Sequence, residues 1–149
     1  MSQFEISFFL QGPRGPALGA AASIRLQVLL PDLPPHALLR GPEVGAVMVR
    51  GRVGGTGQPF NLGEMTVTRC SVRLEGGAIG HAHVQGRDKA HALRAALVDA
   101  LMQTGQAEVT RAQVLALLGA AEATARALRA AKAAATKVEF FTLVRGENA

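Results

Sequence analysis

The sequence predicts an α+β fold, an antiparallel β-sheet packed against two helices of the C-terminal half, with a further strand near the C-terminus. Three observations predict it. Apolar and polar residues alternate with period two in GAVMVRGRV (45–53), the mark of a half-buried strand. A Gly76-Gly77 pair sits between two strand-like runs, as in a tight hairpin. Beyond Asp88 the apolar residues recur at three- and four-residue intervals, which draws one stripe along a helix. At 149 residues the chain has the length of one domain with a modest core, so residues 1–149 are read as a single unit.

Taken in order, residues 11–23 (QGPRGPALGAAAS) mix Gly, Pro and Ala without a defensible period, and a loop is expected there. Ile24 to Leu30 forms a helical turn stopped by PDLPPH, because Pro31, Pro34 and Pro35 forbid its continuation. In the first strand Val47, Val49 and Val53 share one face, and Met48, Arg50 and Arg52 share the other. The next strand, roughly Leu62 to Leu74, changes parity: Met65 and Val67 are apolar on one side, Cys70, Val72 and Leu74 on the other. Either a bulge near Arg69 shifts the phase, or both faces are covered at different points. Ala78 to Gln85 then returns antiparallel.

Asp88 is placed to cap the first of the two helices, whose stripe is Leu93, Leu97, Ala100 and Leu101 and whose end falls near Gly105. Thr110-Arg-Ala-Gln113 has capping-box spacing and predicts the start of the second. Its stripe is Val114, Leu117, Leu118, Ala121, Ala125 and Leu128. The alanine-rich second half predicts close packing against another element, and Arg126, Arg129 and Lys132 suit its negative end. KVEFFTLV, Lys137 to Val144, reads as a strand that completes the sheet or extends onto another subunit.

The formal charge of +5 and a pI near 10.7 favour anionic partners. There is no Trp or Tyr, and the phenylalanines lie away from the central arginines, which argues against a base-stacking single-strand binder. The lone Cys70 permits neither an intrachain disulfide nor a thiolate metal site. No apolar stretch reaches membrane-spanning length, and the opening residues lack the pattern of a secretory leader, so a cytoplasmic protein is expected.

RGRVGGTGQPFNLGEMTVTR (50–69) is the segment best suited to an anion. Gly54, Gly55 and Gly57, with Thr56 among them, allow backbone N–H groups to approach phosphate oxygens, and Arg50 and Arg52 flank them. The segment is neither a P-loop nor a dinucleotide fingerprint: no Lys-Ser/Thr pair follows, and a strand rather than a helix comes next. If its two strands pair, Arg50, Arg52, Arg69 and Arg73 line one surface as four bidentate donors; the bland reading is a solvated basic face. His81 and His83 share one strand face, a His-x-His spacing that binds zinc when a third ligand comes from elsewhere, such as His91 or Glu64, but the spacing does not require one and no metal is expected. Arg87, Asp88, Lys89 and His91 surround a helix N-terminus, which favours anions, though an ordinary charged helix start looks the same. Glu64, Asp88 and His91 are the only candidates for acid–base work.

Three motifs together, RGRVGGTGQPFNLGEMTVTRCSVRL, HVQGRDKAHALRAALVDALMQ and TKVEFFTLVRGENA, resemble the PhnG family of the bacterial carbon–phosphorus lyase system. The resemblance runs from about Leu39 to Ala149. PhnG proteins usually begin with a helix bearing an Arg-x-x-Trp-Met-x-Val-Leu-Ala pattern; here residues 1–38 are atypical, without tryptophan and with the Gly/Pro/Ala run in that place. The resemblance implies a subunit of a core complex with PhnH, PhnI and PhnJ. It also implies that, with PhnL, such a subunit supports displacement of adenine from ATP by methylphosphonate, giving ribose 1-methylphosphonate 5-triphosphate. PhnI then carries the nucleosidase character and PhnJ the iron–sulfur cluster. For this chain it implies no bound cofactor and ATP as a substrate of the complex; the residues read above as anion binders, Arg50, Arg52, Gly54, Gly55, Thr56, Gly57, Arg69 and Arg87, are the ones expected to serve a shared site. The rival readings are a purely structural assembly subunit and a small basic nucleic-acid-binding module.

Overall fold

The computed structural model describes residues 16–138, with side chains from residue 22 onward. Its first element is a helix, α1 (Pro16–Leu29), which replaces the expected loop over 16–23; residues 11–15 of that expectation lie outside the described residues. Proline is well tolerated in a helix's first turn, and the alanines that follow are the strongest helix formers, outweighing Gly19. Tertiary packing completes it: Leu26 is fully buried in the core. The helix stops just before Pro31, as the proline-rich segment predicts.

Three antiparallel strands follow in the order β1-β2-β3: β1 (His36–Arg52), β2 (Pro59–Leu74) and β3 (Ile79–Gln85). The Gly76-Gly77 turn joins β2 to β3 as predicted, and Gly77 takes φ 89°, a conformation that favours glycine. β2 pairs with β3 without interruption from Val67↔Gln85 to Arg73↔Ile79. Its pairing with β1 runs from His36↔Leu74 to Arg52↔Pro59 and slips between Leu38 and Arg40, between Arg40 and Glu43, and between Val49 and Arg50. β2 therefore runs unbroken past Arg69 against β3, and the irregularity beside Arg69, between Arg40↔Ser71 and Glu43↔Arg69, puts its extra residue into β1 and leaves the phase of β2 unchanged. The parity change has the second explanation: Thr68, Cys70, Val72 and Leu74 are buried on the helix side, while Val67 is buried and Met65 half-buried on the other. Because β3 begins pairing only at Val67, the outer halves of β1 and β2 form a two-stranded arm. Val47, Met48, Val53, Phe60 and Leu62 are all exposed along it.

The helix side of the sheet carries α2 (Lys89–Leu101), nine of whose residues are buried. Gly80 lets it approach: a Cβ there would lie 2.5 Å from Ala100 N and 2.8 Å from Ala100 Cβ, and still closer to Ala96 O. The core joins the inward residues of β2 and β3 to Leu26, Leu97, Val98, Val114 and Leu115. A short helix α3 (Ala107–Thr110), one π turn (Arg111–Leu115) and α4 (Ala116–Ala135) make a continuous run. Thr110 is therefore inside the helix, at φ −61° and ψ −40°, and caps nothing. The turn is held instead by Thr104, whose hydroxyl donates to Leu101 O at 2.7 Å and accepts from Gln106 N at 3.2 Å. α4 has no buried residue, contrary to the close packing expected of its alanine-rich face. Small side chains bring little area to bury, and Leu117 and Leu128 stand 53% and 59% exposed. Of the predicted C-terminal strand only Lys137 and Val138 fall within the described residues, and neither is in a strand.

Candidate functional site: the basic surfaces of the sheet

At the arm tip β1 passes into a 3-10 turn, Val53–Gly55, with Gly54 and Gly55 at φ 59° and 86°. Thr56 N–H and Gly57 N–H both point at Val53 O, the latter at 2.8 Å, and Val53 N donates to Gln58 O at 3.3 Å. A Cβ on Gly57 would fall 2.6 Å from Val53 O. The glycines are thus explained by the turn itself, and the Thr56 and Gly57 amides, which a phosphate nest would need, are already engaged. Arg52 Nη1 donates to Gly57 O at 3.2 Å and braces the turn. Arg50, Gly51, Arg52, Gly55 and Pro59 still line an open concavity of about 540 Å³ with two guanidiniums on its rim.

The four arginines do not share this place. Arg50 is opposite Asn61, whereas Arg69 is opposite Glu43, seven residues back along β1, a separation of roughly 20 Å at the rise of a strand. Arg69 and Arg73 lie instead on the face of the sheet away from the helices. On that face Arg69 is opposite His83, Ser71 opposite His81, and Arg73 opposite Ile79. Glu43 Oε2 stands 3.4 Å from Arg69 Nε and 3.9 Å from Arg40 Nε. Ser71 Oγ and His81 Nδ1 are 2.9 Å apart. Arg73 also borders a cleft of about 510 Å³ with His36 and Glu75 at the opposite end of the sheet from the arm tip.

The candidates for acid–base work do not converge either. Glu64 is exposed on the arm opposite Met48, three residues beyond the last residue of β2 that pairs with β3. Asp88 caps α2, as predicted: its Oδ1 accepts from His91 N at 2.9 Å and its Oδ2 from Ser23 Oγ of α1 at 2.5 Å. Partial burial pushes this carboxyl up, but the Ser23 hydroxyl and the α2 amides outweigh it and hold it below its ordinary range. Both oxygens are occupied in structural work. His91 is buried, with neither ring nitrogen hydrogen-bonded among the described residues, and burial drives its basicity down against the pull of Asp88. Arg87 is exposed in the bend before Asp88.

Sequence reasoning missed Asp99. It is buried within α2, where burial pushes its carboxyl up, while Oδ2 accepts from His81 N at 2.9 Å and so ties the helix to β3. It also missed the Ser71–His81 and Glu43–Arg69 pairs. The period-two outward positions of β2 and β3 carried a signal for the first; the second depends on a slip in β1 between Arg40 and Glu43, of which Gly41-Pro42 was the only local sign. Among the described residues no group of three His, Cys, Asp or Glu is placed to hold a metal ion.

Fold and surface together define a small α+β protein with a three-stranded sheet, helices packed on one face of it and cations spread over the other. The chain belongs to the family described as phosphonate metabolism protein PhnG, whose sequence pattern matches residues 16–146. The match takes in α1, well before Leu39. The chain is 50% identical over 121 residues to a protein of Rhizobium meliloti (strain 1021), covering 78% of this chain and 75% of that one. That relative is named alpha-D-ribose 1-methylphosphonate 5-triphosphate synthase subunit PhnG.

Proposed function

We propose that this chain is a subunit of an α-D-ribose 1-methylphosphonate 5-triphosphate synthase and serves phosphonate catabolism in the cytoplasm. The observation that carries the reading is the 50% identity to the Rhizobium meliloti subunit over most of both chains. The reaction joins a phosphonate oxygen to the anomeric carbon of ATP's ribose as the bond to adenine breaks, and adenine leaves with a proton. It needs cations around a triphosphate and a phosphonate, and an acid for the departing base. This chain offers the first: Arg50 and Arg52 at the arm tip, with Gly54, Gly55, Thr56 and Gly57 shaping the turn, and Arg69 and Arg87 elsewhere. Its acid–base candidates are dispersed and two of the three are committed to the fold, so the proton work belongs to companion subunits. PhnH, PhnI, PhnJ and PhnL are the proposed partners, ATP the shared substrate, and no cofactor is assigned to this chain.

The exposed arm and α4 favour a second, compatible role in holding the assembly together, since a two-stranded ribbon is marginal on its own. No helix among the described residues is long and apolar enough to cross a membrane. The test is reconstitution with PhnH, PhnI and PhnL, ATP and methylphosphonate, following adenine release by chromatography. Omission of this chain is expected to abolish release. Undiminished release without it, or failure of the chain to co-purify with its partners, refutes the reading.

A further inference from the structure

We infer that the open face of the sheet, formed by Arg69, Ser71 and Arg73 of β2 with His81 and His83 of β3, is a docking surface for an extended polyphosphate such as the triphosphate of a nucleotide. It lies apart from the glycine-rich arm tip. The inference rests on the function proposed above only for the identity of ATP as the nucleotide; the surface itself follows from register and charge.

Every outward position of β2 from Arg69 to Arg73 is cationic or a hydroxyl, and of the three residues directly across on β3 two are imidazoles, His83 and His81, the third being Ile79 opposite Arg73. Arg73 lies four residue steps along the strand from Arg69, about 13 Å of extended chain, a run suited to several linked phosphate groups rather than one. Residues opposite each other lie about 5 Å apart, so one phosphate group can meet a guanidinium and an imidazole together. Among the described residues no ion pair or hydrogen bond engages the Arg73 side chain, whereas Arg69 is paired with Glu43. Arg69 Nε is shielded from water yet has no hydrogen bond, although Glu43 is near enough to attract it. In the tautomer in which Ser71 donates to His81 Nδ1, the ring proton sits on Nε2 and is available as a donor.

Charge balance gives the direction. Within the paired strands of this face the sole carboxylate is Glu43, set against Arg40 and Arg69. An acidic group there weakens the field that a polyphosphate would meet, and its removal strengthens it. Among the described residues the core helices pack against the inward residues of β2 and β3; on the open face Arg73, His81 and His83 are exposed, while Val67 beyond Arg69 is buried.

The test uses the full-length chain titrated with tripolyphosphate, ATP and adenosine, read by histidine side-chain NMR and by binding affinity. Tripolyphosphate and ATP are expected to shift the His81 and His83 signals while adenosine does not. Arg73→Gln should weaken ATP binding roughly tenfold, and Glu43→Gln should strengthen it several-fold. The opposite signs separate a binding role from a structural one. In the reconstituted complex the same variants should move KM for ATP in those directions with kcat little changed. The inference is overturned if neither phosphate compound shifts the histidines, or if Arg50→Gln/Arg52→Gln weakens ATP binding and Arg73→Gln leaves it intact. It is equally overturned if Arg73→Gln strips companion subunits from the chain without altering ATP affinity, which would make this face a protein interface. Because tripolyphosphate binding needs no adenine release, these outcomes are separable from failure of the synthase reading.

Discussion

Replacing Gly80 by alanine is the smallest change expected to damage this fold severely. The added Cβ would stand 2.5 Å from Ala100 N and 2.8 Å from Ala100 Cβ, with Ala96 O nearer still. Two of these atoms belong to the α2 backbone and cannot rotate away as a side-chain end could. α2 must lift off β3 by about 1 Å, disturbing the contacts of Ala82, Val84, Ala96 and Leu97 and straining the Asp99 bond to His81 N. Overpacking of this kind costs about 3 kcal/mol, a large part of a total that is typically 5–15 kcal/mol. The midpoint of thermal unfolding should fall by about 10 °C. Circular dichroism at the helical minimum suits the measurement, since the chain has no tryptophan to report by fluorescence. Gly63→Ala is the control: a Cβ there meets nothing within 4 Å, and the backbone is not in the left-handed region, so the change should stay within about 0.5 kcal/mol. A Gly80→Ala protein as stable as Gly63→Ala would refute the argument that this glycine sets the helix-to-sheet distance.

Three further outcomes are expected. Asp88→Ala should cost about 2 kcal/mol in urea unfolding, because it removes both the α2 cap and the tie to Ser23; adding Ser23→Ala to it should then cost little more. Burial lowers the pKa of His91 below its ordinary 6.5, so the unfolded chain binds this proton more readily. Its contribution to stability is intact above that value and is lost as the pH falls through it. His91→Leu should flatten that loss between pH 7 and 5; Asp99, whose pKa is raised, pulls in the opposite direction and is unaffected by the replacement. Leu117→Ala and Leu128→Ala, on a helix with no buried residue, should each leave the melting temperature of the chain within about 2 °C of the original.

Much of the molecule could be read directly because its signals are local. The Asp88 cap depends on a side chain and an amide three residues on, and the Gly76-Gly77 hairpin on two adjacent residues, so neither needs the rest of the fold. The Gly/Pro/Ala run was misjudged for a related reason: its alanines favour a helix only weakly, and burial of Leu26 against distant elements tips the balance. Thr110-Arg-Ala-Gln113 has the spacing of a capping box, yet the helix had already begun at Ala107, and spacing alone cannot say where the preceding turn ends.

The candidate site divides in the same way. The sequence by itself determined that Arg50 and Arg52 share a side of one strand and Arg69 and Arg73 a side of another, because the two-residue period of a strand is intrinsic to its backbone. It also determined the family, through three long motifs spread along the chain. Only the tertiary structure decided that these pairs are far apart, because three slips and the length of the arm set which residues stand opposite one another. It alone placed His81 against Ser71 and Glu43 against Arg69, bringing together residues 10 and 26 positions apart. It alone showed that Gly80 is where a helix meets the sheet. Those facts belong to pairing register and packing, which are properties of the whole chain: Gly41-Pro42 marks where β1 can slip, but not which residue of β2 it then faces.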